Sequence, residues 1–381
     1  MRDVLPLRRC RRSLLVGAPW LLCSLTWTAL GCRGATLVPV QEQVVSALPD
    51  EVVPPKGGDI TPAPTPPAAS DKLIGPQVAM YYGTGNSQGK DPPLSSLCES
   101  DEIGIIILSF AYRIGSFTRN EDGYPELSIN GCKPSSDPRN PYLPDCTDLG
   151  KALMACQAMG KKVVLSLGGW GAQVGFKDDA EAVAYAKVMW DLVLGGNGNA
   201  RPFGMSLDGI DLDIEGGEST GYAAFSIALR KLMDADPSRT YLLTAAPQCP
   251  FPDEWLGPGP GTAFTDALTA FDYLFIQFYN NNCRFPAKAS FAETWEQWTT
   301  LGAKQPQILV GLPGAVDAAD AASYIEGSKL SDVTAQVGKN PRFGGLMFWD
   351  AGYDMDHIDR KETPMRTAAR QTLDALATQN P

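Results

Sequence analysis

Histidine is almost absent from this 381-residue sequence, which contains only His357. A single imidazole disfavours Ser–His nucleophilic catalysis and histidine-based zinc sites, because both need histidine beside other reactive groups. His357 lies in a polar segment, residues 353–360, near the C-terminus. We therefore expect it to be a surface residue and not a catalytic one.

Positive charge, closely spaced cysteines and phosphate-binding glycine motifs are also scarce. The 32 Lys and Arg residues are outnumbered by 43 Asp and Glu residues, which gives a net charge of −11. Such a surface disfavours nucleic acid and anionic membranes as partners, but it would not repel a neutral polysaccharide. No CxxC pair supports zinc, and the glycine-rich residues 83–90 match neither the P-loop nor the dinucleotide pattern. We interpret residues 83–90 as a loop after a strand, and we expect neither a metal nor a cofactor.

The N-terminus has the features of an export signal. A cluster of arginines at positions 8–12 precedes an uncharged apolar run, residues 13–30, and then Gly31-Cys32. This end resembles a bacterial lipoprotein box with Cys32 as the lipidated residue, although Leu is usual where Ala29 stands. A simple cleaved signal and an uncleaved anchor are the alternatives, since 18 apolar residues are just enough to span a bilayer. We expect residues 1–32 to direct the rest of the chain across a membrane. The exported chain would then be secreted, or anchored to the outer surface of that membrane through Cys32.

Residues 33–74 are rich in proline, with Thr, Ala and Ser between the prolines. The segment has little to bury and no clear period, which predicts an extended linker. A cap packed on the following domain is the alternative. Residues 75–381 then form one domain. Its six cysteines, an even number after an export signal, predict three disulfides with 15 possible connectivities. These cysteines are Cys98, Cys132, Cys146, Cys156, Cys249 and Cys283.

Eight apolar runs of strand type occur in this domain: residues 77–82, 103–110, 162–167, 209–214, 241–246, 273–279, 307–312 and 345–349. Helix-like stretches lie between many of them, such as 149–159, 180–194, 221–235 and 317–325. Alternating strands and helices predict parallel βα units, and eight such units in about 300 residues favour an α/β TIM barrel. An open doubly wound sheet is the main alternative.

The fourth run carries the most informative pattern, Asp208-Gly-Ile-Asp211-Leu-Asp213-Ile-Glu215. The period of two places Asp211, Asp213 and Glu215 on one face of a strand, with apolar residues on the other. Like charges this close raise one another's pKa, so at least one of these carboxyls is expected to hold a proton at neutral pH. A protonated carboxylic acid on a strand end is what a general acid for glycosidic cleavage needs. A solvated edge strand or a cation site is the alternative.

These residues complete a DxxDxDxE motif, and with it the chain resembles glycoside hydrolase family 18, particularly the class III (hevamine-type) chitinases. Further matching segments lie at residues 166–169, 243–253, 277–281 and 344–349, in the family's order. The resemblance implies a catalytic TIM barrel without metal or cofactor. It also implies the disulfides Cys98–Cys156, Cys132–Cys146 and Cys249–Cys283, a choice that spacing alone does not make.

The family's chemistry implies roles for four catalytic residues. Glu215 would protonate the glycosidic oxygen, and the substrate's own 2-acetamido oxygen would attack the anomeric carbon. Asp213 would hold the acetamido N–H, while Asp211 would share a proton with Asp213. Tyr279 would donate its hydroxyl to the acetamido oxygen, although a place in the core is the alternative for this residue.

The resemblance also implies substrate-binding residues. Gln277 would contact the bound sugar or Asp213, and Trp349 would form an apolar floor under the sugar unless it is plain barrel packing. Tyr81, Phe110 and Gly168 match positions that line the sugar subsites. For Gly168, the alternative is that a glycine merely lets a neighbouring backbone approach. Asp208 has the opposite strand parity, so we expect it to have a structural role.

The sequence departs from the plant pattern in three places. Leu212 stands where Phe is more usual, Trp170 replaces a small residue, and the region 112–142 is longer and more polar. Trp170 would either add a stacking surface or close part of the groove. We expect an endo-acting, retaining chitinase that hydrolyses β-1,4 bonds of N-acetylglucosamine polymers, with chitin as the favoured substrate and peptidoglycan and N-glycan cores as related ones, and we expect a monomer. A catalytically silent carbohydrate-binding or inhibitor protein on the same barrel is the alternative, and a phosphate-binding barrel enzyme lacks matching loops.

Overall fold

A computed structural model describes residues 73–302 and 306–379, and its centre is a closed barrel of eight parallel strands. The first strand pairs with both the second and the last, which closes the sheet. The architecture is the predicted (β/α)8 TIM barrel. The predicted signal, Cys32 and nearly all of the predicted linker lie outside the described residues.

The barrel strands are buried along most of their length, as expected for apolar runs covered on both sides. They are β1 Gln77–Tyr82, β2 Ile105–Arg113, β4 Lys162–Gly168, β5 Gly209–Asp213, β6 Leu242–Ala245, β7 Tyr273–Gln277, β8 Gln307–Pro313 and β9 Phe343–Trp349. A short strand, β3 Glu126–Leu127, pairs antiparallel with β2 at the barrel rim. All eight predicted strands are therefore confirmed, and their ends differ from the predicted ones by at most three residues.

The helices pack on the outside of the barrel. They are α1 Leu94–Cys98, α2 Thr147–Ala158, α3 Asp179–Val193, α4 Tyr222–Asp234, α5 Ala263–Asp266, α6 Lys288–Thr299, α7 Leu330–Val337, α8 Ala351–Asp359 and α9 Met365–Gln379. The outward-facing side chains of the strands form a large apolar layer with them. A smaller apolar cluster fills the barrel interior, with Ala79, Ile105, Val164, Phe275 and Met347 among its members.

The predicted helix over residues 317–325 is wrong. The segment forms two short 3₁₀ turns, Val316–Ala318 and Ala321–Ser323, separated by an extended Ala319. The side chain of Asn280 accepts a hydrogen bond from the Asp320 N–H at 2.8 Å, and the Asn280 N–H donates to the Ser323 hydroxyl at 3.0 Å. These contacts hold the alanine-rich segment as a loop over the end of β7, so tertiary contacts override its helix propensity.

The prediction that His357 is a surface residue is also wrong. Its imidazole is 3% exposed and contacts the Gly314 carbonyl at 2.9 Å and the Glu362 carboxylate at 3.0 Å. The residue lies on the inner face of α8 and connects this helix to the loop after β8. Its role in the fold is structural.

The three disulfides are Cys98–Cys156, Cys132–Cys146 and Cys249–Cys283, the pairs that the resemblance implies. The first joins α1 to α2, and the third joins the segments that follow β6 and β7. The second holds the end of the long 112–142 region, which folds back so that the backbones of Ser128 and Phe110 exchange two hydrogen bonds of 2.9 and 3.0 Å. No helix in the described part of the chain is long and apolar enough to cross a membrane.

Candidate active site

The acidic motif lies at the C-terminal end of β5, where the active sites of TIM barrels are found. Asp211 and Asp213 are the last inward-facing residues of the strand, and Glu215 follows two residues later. The intervening Ile and Leu side chains pack in the outer apolar layer. The predicted alternation therefore brings three carboxyls together on the inner face, and they become more exposed towards the barrel mouth.

Asp211 is the deepest of the three and is fully buried. Three hydroxyl groups donate to its carboxylate: Tyr81 at 3.0 Å, Ser166 at 2.7 Å and Thr244 at 2.6 Å. These donors come from β1, β4 and β6, so the carboxyl is fixed at the barrel axis. Burial raises the pKa of Asp211, while the three hydrogen bonds oppose that shift.

Asp213 lies above Asp211 and is 3% exposed. Burial raises its pKa well above the usual value, and the neighbouring carboxyls of Glu215 and Asp211 raise it further. The amide of Gln277 donates to Asp213 at 2.8 Å. Ionising all three carboxyls together is therefore unfavourable, and burial and the neighbouring charges both favour the protonated form of Asp213.

Glu215 is the only one of the three that is partly exposed to solvent. The Gln277 amide reaches it at 3.3 Å, and the Gln248 amide donates to its other oxygen at 3.0 Å. The same Gln277 nitrogen thus contacts both Asp213 and Glu215, which holds the two carboxyls side by side. A carboxyl in this position can exchange a proton with a ligand above it and with Asp213 below it.

Gln248 is a site residue to which the sequence analysis assigned no role. Its side-chain oxygen accepts a hydrogen bond from Asn281 at 3.2 Å, and its backbone N–H donates to Asp253 at 3.0 Å. Asp253 also accepts the backbone N–H groups of Trp255 and Leu256, and burial raises its pKa to about 6. The family-like block 243–253 contained this signal, but only the fold shows that Gln248 points at Glu215.

Tyr279 is 6% exposed and lies beside the carboxyl cluster. Burial raises the pKa of its phenol well above the usual value, and the charges of Asp213 and Glu215 add to this effect. The phenol is therefore a hydrogen-bond donor over the whole physiological pH range. Its position in the site, together with Gln277, agrees with the predicted placement of both residues.

Three aromatic rings line the barrel mouth next to the carboxyls. Trp349 lies 5.2 Å from Tyr81 in an edge-to-face contact and stacks on Phe110 at 5.7 Å. Tyr81 is buried, whereas Trp349 and Phe110 stay partly exposed. Two of the three predicted rings thus present apolar surface to a ligand, while the Tyr81 hydroxyl is occupied by Asp211.

Gly168 and Asp208 lie in the barrel wall. A Cβ atom on Gly168 would meet the Asp213 carbonyl at 2.0 Å, so the glycine allows β4 and β5 to approach, which is the alternative that its pattern left open. Asp208 accepts hydrogen bonds from the Val163 N–H at 2.9 Å, Gln157 at 2.7 Å and Arg239 at 3.1 Å. It stabilises the entrance of β5, in line with its expected structural role.

Trp170, at the rim beside Gly168 and Gly169, is 90% exposed. Among residues 73–302 and 306–379 the indole therefore has no facing wall to pack on, and none of these residues closes the groove at this position. Within the described residues, no group of three His, Cys, Asp or Glu side chains could hold a metal ion.

The chain is similar to known proteins over most of its length. The family model described as "Glycosyl hydrolases family 18" matches residues 77–338, which is more than half of the chain. The chain is 38% identical over 283 residues to Chitinase 2 of Rhizopus oligosporus, covering 73% of this chain and 49% of that protein. It spans about half the length of the fungal relatives that it matches.

Two solved plant structures share the fold over nearly their whole length. The chitinase ICChI of Ipomoea carnea has a TM-score of 0.65 and 28% identity, covering 78% of this chain and 99% of its own. The xylanase and α-amylase inhibitor protein XAIP-II of Scadoxus multiflorus has a TM-score of 0.62 and 25% identity, covering 79% and 98%. The same barrel is thus found in proteins named as an enzyme and as an inhibitor.

Proposed function

The chain belongs to family 18 of the glycosyl hydrolases, and from this membership and its site we propose that it is an endo-acting, retaining chitinase. One observation carries the proposal: the partly exposed Glu215 is held beside the buried Asp213 by the single Gln277 amide. That arrangement supplies a proton donor with a neighbouring acid that can be neutral or charged. The favoured substrate is chitin, and related bonds in peptidoglycan and N-glycan cores have the same chemistry.

In this proposal Glu215 acts as general acid and then as general base. It protonates the glycosidic oxygen, and the bond from that oxygen to the anomeric carbon breaks. The carbonyl oxygen of the substrate's 2-acetamido group attacks the same carbon and forms an oxazolinium-type intermediate, as family 18 enzymes use substrate assistance in place of an enzyme nucleophile. Water, deprotonated by Glu215, then opens the intermediate with net retention.

Asp213 and Asp211 stabilise the positive charge that develops on the acetamido group. The Asp213 carboxylate accepts a hydrogen bond from the acetamido N–H and stabilises its partial positive charge. Asp211, fixed by three hydroxyl donors, takes part in sharing the proton that Asp213 must release for this role. The deep, rigid placement of Asp211 sets the electrostatic potential at Asp213 without contacting the substrate.

Gln277, Tyr279 and Trp349 orient the sugar. The protonated Tyr279 phenol donates to the acetamido oxygen and fixes its attack geometry. The Gln277 amide holds the Asp213 and Glu215 carboxyls side by side. Trp349, with Phe110 stacked behind it, offers an apolar floor for the ring face of the sugar.

The alternative function is carbohydrate binding or enzyme inhibition without catalysis. The similarity of the fold to that of an inhibitor protein is the observation that supports this alternative. Intact Asp211, Asp213, Glu215 and Tyr279 in one cluster argue for catalysis, because a binding protein has no need of a poised proton donor.

Incubation of the purified protein with chitotetraose and longer oligomers decides between the two. We expect cleavage that a thiazoline analogue of the intermediate inhibits. Cleavage without thiazoline inhibition would contradict substrate assistance, and oligomer binding without cleavage would establish the binding protein.

A further inference from the structure

Trp170 is the most exposed large apolar residue in the described part of the chain, at 90%. A single exposed apolar side chain is ordinary on protein surfaces and needs no explanation by itself. The place of Trp170 and the rigidity of its backbone are what set it apart.

The backbone at Trp170 forms a tight turn. The Ala172 N–H donates to the Gly169 carbonyl at 3.1 Å, and Gly171 has a positive φ of 74°. This places Trp170 at the first central position of a type II turn, whose second position requires glycine. The indole is therefore presented outward by a short, well-defined loop.

Both ends of this turn are tied to strands of the barrel. The Gly169 N–H donates to the Asp213 carbonyl at 2.7 Å, which joins the turn to β5 directly at the catalytic carboxyls. On the other side, the Gln173 N–H donates to the Tyr112 carbonyl at 3.0 Å near the end of β2. The position of Trp170 is thus fixed relative to the site.

The turn also continues the row of aromatic rings at the barrel mouth. A Cβ atom on Gly169 would lie 2.7 Å from the Phe110 ring, and Phe110 in turn stacks on Trp349 at 5.7 Å. Trp170 is the next residue along, and its Cα lies at most about 8 Å from that of Gly168, which pairs with Asp213. The turn that carries Trp170 therefore lies beside Phe110, whose ring stacks on Trp349, and holds the exposed indole close to the sugar floor.

We propose that Trp170 forms an additional sugar-binding position, on which an N-acetylglucosamine residue outside the catalytic position stacks. The inference rests on the proposed function, because a glycan held over Trp349 is the occupant whose chain would pass the rim. The apolar face of a pyranose ring covers a planar indole, which removes apolar area from water on both partners. Trp170 thereby favours longer oligomers over short ones.

Binding is measured separately from cleavage so that the two proposals can fail independently. Isothermal titration with chitohexaose and chitobiose is carried out on Glu215→Gln protein, and Trp170→Ala, Trp170→Leu and Trp170→Phe are each added to it. We expect the Ala and Leu variants to raise the Kd for chitohexaose about 2- to 10-fold, with a smaller change for chitobiose. The Phe variant keeps a planar ring and should stay within about twofold.

The matched control is Ile227→Ala in the same background, since Ile227 is 51% exposed on the outer helix α4. It should leave both Kd values unchanged. Equal chitohexaose affinity in all Trp170 variants, or no oligomer binding at all, would overturn the inference. So would a change of sedimentation behaviour in Trp170→Ala without a change in Kd, because the indole would then serve contact between two copies. Absence of cleavage by the unmodified chain contradicts the proposed function instead.

Discussion

At the scale of residues, the site is a gradient of burial along one strand face. Asp211 is fully buried, Asp213 nearly so, and Glu215 partly exposed. A period of two in the sequence predicts that these carboxyls share a face, because side-chain alternation is a local property of a strand. Gln248 could not be placed in this way, since its contact with Glu215 depends on how the segment after β6 folds over the barrel mouth.

Replacing the proposed proton donor tests the role of Glu215. Glu215→Gln keeps the shape and the Gln277 contact but removes the transferable proton, so kcat should fall about 10²- to 10⁴-fold with the fold intact. Turnover of a chitotetraose substrate and the far-ultraviolet circular dichroism spectrum provide the two readouts. The same change at the exposed Glu218 is the control and should leave kcat unaltered. Near-normal turnover of Glu215→Gln would refute the assignment.

Gln248→Ala tests whether Gln248 positions Glu215. The variant removes the 3.0 Å hydrogen bond to the Glu215 carboxyl group, so this proton donor is no longer held in place on that side. We expect kcat to fall about 10-fold or more, while KM and the melting temperature change little. Asn281→Ala should show a smaller loss of the same kind, because Asn281 acts only through the Gln248 side chain. An unchanged kcat, or a loss confined to stability, would contradict a positioning role.

At the scale of elements, the strands were predictable and some connections were not. Long apolar runs with β-branched residues mark buried parallel strands whatever surrounds them. The 317–325 loop is different, because its alanines favour a helix while Asn280, about 40 residues earlier, holds the backbone in turns. His357 was misplaced for a similar reason, since the inner face of α8 is defined by its packing on the loop after β8.

Helix α8 begins at a buried acid. Asp350 accepts the Tyr353 N–H at 3.0 Å and the Thr84 hydroxyl at 2.6 Å, and burial raises its pKa to about 7. The folded protein therefore binds this proton more tightly than the unfolded chain. Its contribution to stability is complete below about pH 4 and is lost as the pH rises towards 7, by at most about 1.4 kcal/mol per pH unit.

Asp350→Asn should therefore reduce the fall of the melting temperature between pH 4 and pH 7 by a few degrees, because asparagine caps a helix without titrating. Thermal unfolding followed by circular dichroism across this range is the measurement. Asp359→Asn, an exposed change on the same helix, should keep the slope of the unmodified protein. If Asp350→Asn keeps that slope as well, burial of Asp350 is not the cause.

The disulfides give a second test at this scale. Cys249–Cys283 joins the segments that carry Gln248 and Asn281, whereas Cys98–Cys156 joins α1 to α2 outside the barrel. Replacing either pair by alanine should lower the free energy of unfolding by about 2–5 kcal/mol. Only loss of Cys249–Cys283 should also lower kcat, by several-fold, at a temperature where both variants are folded. Equal kcat values in the two variants would show that the third disulfide has no part in holding Gln248.

At the scale of the whole molecule, an acidic barrel presents one polar cluster among aromatic rings at its C-terminal mouth. The net charge of −11 does not repel a neutral glycan, in keeping with the proposed substrate. Fold and motif were both predictable, because a TIM barrel repeats one local unit and the carboxyls follow one strand. Export and lipidation at Cys32 stay predictions, since residues 1–72 lie outside the described part of the chain.

The central claim is that the substrate's own acetamido group attacks the anomeric carbon on the face opposite the leaving group, and that water later attacks from the face that the leaving group has left. Proton nuclear magnetic resonance spectra of chitotetraose in the first minutes of digestion report the anomer of the new reducing end before it equilibrates. The account predicts that the β-anomer forms first. Initial formation of the α-anomer would mean direct inversion by water, and it would contradict the mechanism derived from Asp213, Glu215 and Tyr279.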